Sequence, residues 1–578
     1  MVETSPVLLS GDPQQIQKAF NSLPVDQQVN LILGARGKER LRTLFFSNNP
    51  KELVEKLPEL EVFLTVKEVG RSDAIDLVTL TTPEQFQYLL DLDLWKKDRL
   101  DPEKVIHWLE ILLESGEERV IEFIRSSDPD FLCFLLITFL HITKPEGEPT
   151  ELMERNLPFT LDREYFITFR KAEIRPVFQP FLEILYRYDS DTYRRLMESL
   201  LGELESDIQE TSYRFRNARL ADYGFPDAEQ ALEIYRFVDP GALPVEEAPQ
   251  DTVPDISEKT QPTFYLMSQG DGPFFSEVLS RVTDPLVQDR LKGELAGLCN
   301  KAMVAESIDL FDVGDMEWVV KKVFHYLNLG LQGLSGKEEG RAVRVLHTVS
   351  LQRIFQSGVG ATLLMRKKAE ALLKGPWFNG DRKNLRFLDS IDKEIVEGVL
   401  KRKPGFYRNG VVDDFRTLQD IKEVEDVLDR IDVVVTTLGE KLNVTPEKAK
   451  EQGLVSDPAD LENDIPLSTF FLTAIANRIL NGRFEVKAID KSRLKELFSI
   501  MFEQDEQRRG KLRMEIRQDV SEWLGSTVEE DDDDDERKRQ HLLAFWDFCK
   551  DVLEGDFGRI PQGEDVDPRF VRGLIIRE

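Results

Sequence analysis

Seven times within its first 145 residues this chain sets a proline directly after a capping or apolar residue and follows it with an amphipathic stretch: Asp12-Pro13, Leu23-Pro24, Asn49-Pro50, Leu57-Pro58, Thr82-Pro83, Asp101-Pro102 and Asp128-Pro129. The first residue of an α-helix has no intrahelical acceptor for its N–H, so proline loses nothing there and brings φ already set. Asp, Asn or Thr one position earlier accepts from the exposed N–H groups of the first turn. Apolar residues then recur at helical spacing, as in Ile16, Ala19 and Phe20, in Val29, Ile32 and Leu33, in Phe86, Leu89 and Leu90, and in Val105, Trp108, Leu109 and Leu112. A helix of about three turns with one apolar face cannot bury that face alone, so successive hairpins are expected to stack on one another. The intervals between starts are unequal, which argues for a degenerate superhelix and against a strict repeat. The expected fold class is all-α: stacked helical hairpins followed by further helical blocks.

Breaks in this pattern divide the chain. Residues 1–145 form the superhelical block, closed by Lys144-Pro145-Glu146-Gly147-Glu148-Pro149, which no helix would cross. A second helical block is expected over 151–240 and an acidic, proline-rich linker over 241–262, where Pro244, Pro249, Pro254 and Pro262 fall among few core-forming residues. A third block over 263–376 contains long helical patterns at Asp284 to Glu306, Glu317 to Gly330 and Gly340 to Lys374. A fourth, over 377–526, resumes at Thr417 to Leu442, Pro446 to Gln452, Leu467 to Leu480 and Lys491 to Trp523. The β-branched run Val433 to Thr437 is too short to outweigh the helical period around it. An acidic loop over 527–537, built on Asp531 to Asp535, precedes a C-terminal helix and tail over 538–578.

The net charge of −31 repels nucleic acid and anionic membranes, so neither is an expected partner. The longest apolar run, Phe131 to Leu140, has about half of the roughly twenty residues a membrane span needs, and reads as a buried helix. Cys133, Cys299 and Cys549 lie far apart without paired spacing, which suggests neither disulfides nor a zinc knuckle and fits a reducing cytoplasm. Met1 to Asp12 lacks a basic segment ahead of an apolar one, so the mature chain is expected to be the chain as written.

Catalytic signatures are missing. The five histidines have no metal-ligand spacing. Ser357-Gly358-Val359-Gly360 follows a helical pattern where a nucleotide fold would have a strand, and Gly336-Lys337 is followed by Glu338 where a phosphate loop needs Ser or Thr. No catalytic residue, metal or cofactor is therefore assigned. The densest stretch runs from Tyr213 to Tyr235, where Arg214, Arg216, Arg219, Asp222, Tyr223 and Tyr235 could hold an anionic ligand against a flat aromatic wall. The competing reading is a helical corner whose arginines neutralise the chain's own acids, and the abundance of those acids favours it. Lys401, Arg402, Lys403, Phe406, Tyr407 and Arg408 form a smaller basic and aromatic patch that reads as a loop.

Two resemblances follow from quoted residues. Leu77 to Phe86, with Leu89-Leu90-Asp91-Leu92-Asp93, Trp95, Leu100 to Glu103 and Trp108-Leu109, resembles the superhelical cytosolic domain preceding the CBS pair in bacterial magnesium transporters. It covers about a quarter of the chain and implies a helical scaffold. Over its whole length the chain resembles an uncharacterised family of long bacterial helical proteins, through Arg219 to Asp227, Ala231 to Tyr235 and Tyr326 to Leu331. That resemblance implies a fold and no active site.

The expectation for function is a cytoplasmic interaction or regulatory scaffold whose partner is a protein. The rival is a small-molecule sensor or enzyme with a pocket at the Arg214 to Tyr235 corner, between the second and third blocks. Limiting protease should cut first within 243–262 and 527–537, read by mass spectrometry of the fragments; primary cuts inside Asp284 to Lys374 would contradict the boundaries.

Overall fold

The computed structural model describes residues 13–96, 98–145, 159–202, 204–241, 264–266, 269–454, 465–504, 510–528, 533–557, 571 and 573–577. Helices dominate them, with short strand pairs between. The chain divides into two compact units, one of Met1–Arg236 with Leu243–Gln356, the other of Phe237–Ala242 with Ser357–Glu578. The linker expected over 241–262 lies, apart from residue 241, outside the described residues.

The first unit opens with ten helices: α1 (Pro13–Asn21), α2 (Val25–Leu33), α3 (Gly37–Leu44), α4 (Pro50–Lys56), α5 (Glu59–Val69), α6 (Arg71–Leu80), α7 (Pro83–Asp93), α8 (Pro102–Glu114), α9 (Glu117–Ser126) and α10 (Pro129–Phe139). Next-but-one helices lie side by side. One row runs α2, α4, α6, α8 and the other α3, α5, α7, α9, with hairpins α2–α3, α5–α6 and α8–α9 joining the rows. The stacked-hairpin superhelix is therefore present, and α5 is buried almost all round through Leu60, Val62, Phe63, Leu64 and Val66.

Three of the expected caps form as hydrogen bonds. Thr82 and Gln85 make a reciprocal capping box, Asp101 accepts from the N–H groups of Glu103 and Lys104, and Asp128 accepts from that of Asp130. Pro24 and Pro58 stand one residue earlier than expected, as extended N-caps with ψ of 148° and 141°. The helices that no proline announces start at glycine instead. Gly70 and Gly116 precede α6 and α9 with φ of 92° and 105°, a conformation only glycine adopts without strain.

Three further helices, α11 (Arg175–Tyr188), α12 (Ser190–Gly202) and α13 (Glu205–Asp222), continue this unit. α11 packs on α8 and α9, while α12 and α13 pack on α10, and α13 also meets α7. The apolar run that reads as one helix ends at Phe139, because Leu140 turns extended and Leu140–Thr143 pairs antiparallel with Phe166–Phe169. The helix expected to stop at Gly330 runs over Val313–Ser335, since Leu331 and Leu334 keep their burial, and stops at left-handed Gly336. The pattern from Gly340 to Lys374 is two helices, Glu339–Thr348 and Leu351–Lys374, parted at extended Val349.

In the second unit, Leu418–Lys441 packs on Asp533–Phe557, and Leu467–Asn481 is buried on nearly every side from Leu467 to Asn477. The pattern from Lys491 to Trp523 resolves into Leu494–Met501, a hairpin of Phe502–Gln504 with Gly510–Leu512, and Met514–Ser526. The basic patch at 401–408 runs into a second hairpin, Phe406–Arg408 with Val411–Asp413, turned by Asn409 and Gly410 at φ of 51° and 86°. The acidic segment is shorter than expected because the last helix begins at Asp533. Acids stabilise a helix N-terminus, and Asp534 and Asp535 both pair with Lys538 one turn on.

Replacing Thr82 by Ala should lower stability by about 1 kcal/mol, read as an earlier denaturant midpoint for the first unit, because it removes one half of the capping box.

Candidate functional site

Two arginines of the 213–235 stretch, Arg216 and Arg219, turn inward. Arg219 grips both carboxylate oxygens of Asp91 on α7, with Nε to Oδ2 at 2.7 Å and Nη2 to Oδ1 at 2.8 Å. One turn earlier on α13, Arg216 Nε donates to the Asp91 carbonyl at 2.7 Å and its guanidinium lies over the Trp95 ring. Gln87 adds a third donor to the Asp91 carboxylate at 3.0 Å. Burial raises the Asp91 pKa above the ordinary carboxylate value against the pull of Arg219.

The other residues of the stretch do not join them. Arg214 is exposed over the ring of its neighbour Phe215, and Asp222 is exposed. Tyr223 meets the edge of buried Tyr88, and its carbonyl accepts from Asn300, which in turn accepts from the hydroxyl of buried Tyr265. Tyr235 donates to Glu306, which pairs at 2.9 Å with Lys322. Asp91, the group that gathers the two arginines, is the residue sequence reasoning missed. Its signal was an acid inside the apolar run Leu89-Leu90-Asp91-Leu92.

An open groove of about 810 Å³ is lined by residues of α4, α6, α9 and α11. Lys51 of α4, Thr79 of α6, Ser115 after α8, Glu118, Arg119, Glu122 and Arg125 of α9, and Tyr188 of α11 line it. Arg119 forms its buried floor, held by the Thr81 hydroxyl at 2.7 Å and by Glu122. Lys51 and Arg125 are exposed and make no ion pair among the described residues, whereas the Tyr188 hydroxyl donates to Glu117 at 3.1 Å.

Residues 17–577 match a family described as a family of unknown function (DUF6178). The chain belongs to that family. No curated protein and no solved structure matches it. Membership of DUF6178 accounts for the whole-length resemblance to long helical proteins, while the resemblance of the N-terminal quarter to magnesium-transporter domains finds no support in these comparisons. No helix among the described residues of this DUF6178 member is long and apolar enough to cross a membrane.

The second unit holds a buried titratable cluster. Asp389 stands at the N-cap position of the helix Ser390–Val399 without a capping hydrogen bond and accepts instead from Ser468 Oγ at 2.5 Å, while Asp392 accepts from Arg430 at 2.6 Å. Burial pushes Asp389 up to about 6, with Asp392 adding to the rise and Ser468 opposing it. The folded state therefore keeps a proton that the unfolded chain has released above about pH 4. The stabilising contribution is complete below the unfolded pKa and is lost as pH rises through about 6. Asp389→Asn should abolish this component: between pH 4 and pH 7 the stability difference between wild type and variant should shrink or invert by on the order of 2 kcal/mol, measured by denaturant unfolding at each pH.

Proposed function

We propose that the protein is an interaction scaffold whose N-terminal superhelix takes an extended segment of a partner protein in the groove between Lys51 and Tyr188. The observation that carries this reading is that one open groove, built mainly on α9, also draws lining residues from α4, α6 and α11, the way repeat architectures combine several helices into one recognition surface. Its side chains suit protein recognition: Arg125 and Tyr188 are of the types that anchor interfaces, and the mixed charges of Lys51, Glu118 and Glu122 give register. The rival reading, a ligand pocket at the 213–235 corner, meets arginines already committed to Asp91 and a tyrosine already committed to Glu306. A cytoplasmic setting is supported by three buried free cysteines and by the lack of a spanning helix among the described residues.

The test is native mass spectrometry of the tagged protein purified gently from its own host, beside the Lys51→Glu, Arg125→Glu double variant. A stoichiometric protein partner on the wild type should be weakened at least about tenfold by reversing two exposed charges that make no ion pair among the described residues. A bound metabolite without any protein partner, or a partner indifferent to the variant, would overturn the reading.

A further inference from the structure

One surface of the second unit runs against the acidic character of the chain. The turn that follows the helix Ser390–Val399 carries Lys401 and Arg402, both exposed, and two arginines from other segments reach its backbone. Arg366 Nη1, on the helix Leu351–Lys374, donates to the Arg402 carbonyl at 3.2 Å. Arg382 Nη2, at the start of the short helix Arg382–Phe387, donates to the Leu400 carbonyl at 3.1 Å. Three segments thus bring Arg366, Arg382, Lys401 and Arg402 to one place, with Lys383 next to Arg382 in the chain.

Most of these charges have no acid of their own. Arg366 pairs with Glu370 at 2.9 Å, but Arg382, Lys383, Lys401 and Arg402 make no ion pair among the described residues. The adjacent acids are turned to other uses or to water: the Asp381 carboxylate accepts from the Lys383 N–H, and Glu397, one turn before Lys401, is exposed and makes no ion pair. Cations do gather at helix C-termini, yet that end carries only about half a unit of negative charge, and Arg382 on the carbonyl of the C-cap residue Leu400 already outweighs it. In a chain with 107 acids against 76 lysines and arginines, four neighbouring cations without an ion pair go against composition. The frame that presents them is fixed. The Gly405 N–H donates to the Gly398 carbonyl at 3.0 Å, Pro404 to Phe406 are buried, and a Cβ at Gly405 would collide with the Val412 side chain. A backbone set in advance lowers the ordering cost of binding.

We propose that this surface docks an acidic segment of a partner protein, a short run of Asp and Glu side chains, with Arg382 and Arg402 meeting carboxylates through their forked donors and Lys383 and Lys401 adding point charges. Charge complementarity names the occupant, and the charge of the whole chain limits its length. Screening confines the attraction of the surface to roughly 8 Å, and outside it the net charge of −31 repels. A short acidic peptide fits within that range, whereas a long polyanion such as nucleic acid does not. The surface shares no residue with the groove lined by Lys51 and Arg125, so the two readings stand or fall separately.

The experiment is fluorescence anisotropy of labelled hexaglutamate titrated with the full chain at low, constant chloride. Saturable binding at one site per chain is expected. Lys401→Glu with Arg402→Glu should weaken it at least about tenfold, and the milder pair Lys401→Gln with Arg402→Gln at least about threefold; both keep the backbone carbonyls that Arg366 and Arg382 hold, so the unfolding midpoint should stay that of the wild type. Lys51→Glu with Arg125→Glu should leave the affinity within about twofold, which separates this surface from the groove. Absence of saturable binding, an unchanged affinity in both folded loop variants, an equal loss in the groove variant, or tighter binding of an oligothymidylate with the same number of charges would overturn the proposal.

Discussion

The Asp91 carboxylate is the point on which the first unit depends. It sits inside an apolar helix, where an unpaired charge would cost several kcal/mol. Arg219 meets it with both arms of its guanidinium, the geometry that best offsets that cost, and Arg216 uses the carbonyl of the same residue. Two residues of α13 are thereby locked to one residue of α7, a helix from the middle of the stacked array. Since α13 also covers α10, whose face from Phe131 to Ile137 is buried, this joint lets the superhelix close over its most apolar member.

The same logic runs through other buried charges of the unit. Arg40 pairs with Glu61 at 2.6 Å while donating to the Ala35 carbonyl and the Thr65 hydroxyl, and Glu61 accepts in addition from the Phe264 N–H. In that way residues 264–266, which follow a long interval of sequence, are tied to α5. A chain with a net charge of −31 spends many of its cations on its own interior acids. The cations left facing open recesses then carry information about binding. Lys51 and Arg125 on the groove, which make no ion pair among the described residues, are such residues.

Much of the architecture was legible in the sequence because its cues are local. Asp101-Pro102 and Thr82-Pro83 state a helix start within a few residues, and the structure forms those caps. Glycine starts at Gly70 and Gly116 are equally local but depend on a positive φ that composition does not reveal. The misread stop at Gly330 shows the limit of punctuation: burial of Leu331 and Leu334 carries the helix past a residue that costs it only about 1 kcal/mol. Short hairpins escaped because two or three residues have too little period to register, although Asn409-Gly410 is a strong turn signal. The partners of Arg216 and Arg219 lie more than a hundred residues away in the chain, at separations where spacing says nothing.

A double-mutant cycle on Asp91 and Arg219 tests most directly whether the arginine corner is a structural joint. Asp91→Asn, Arg219→Gln and the pair together would be compared by denaturant unfolding of the full chain. Each single replacement should cost about 3 kcal/mol by stranding a buried partner, and the double should cost less than their sum by about 2 kcal/mol. Single replacements within about 0.5 kcal/mol of wild type, with additive effects, would contradict the account and leave Arg219 available to hold a ligand.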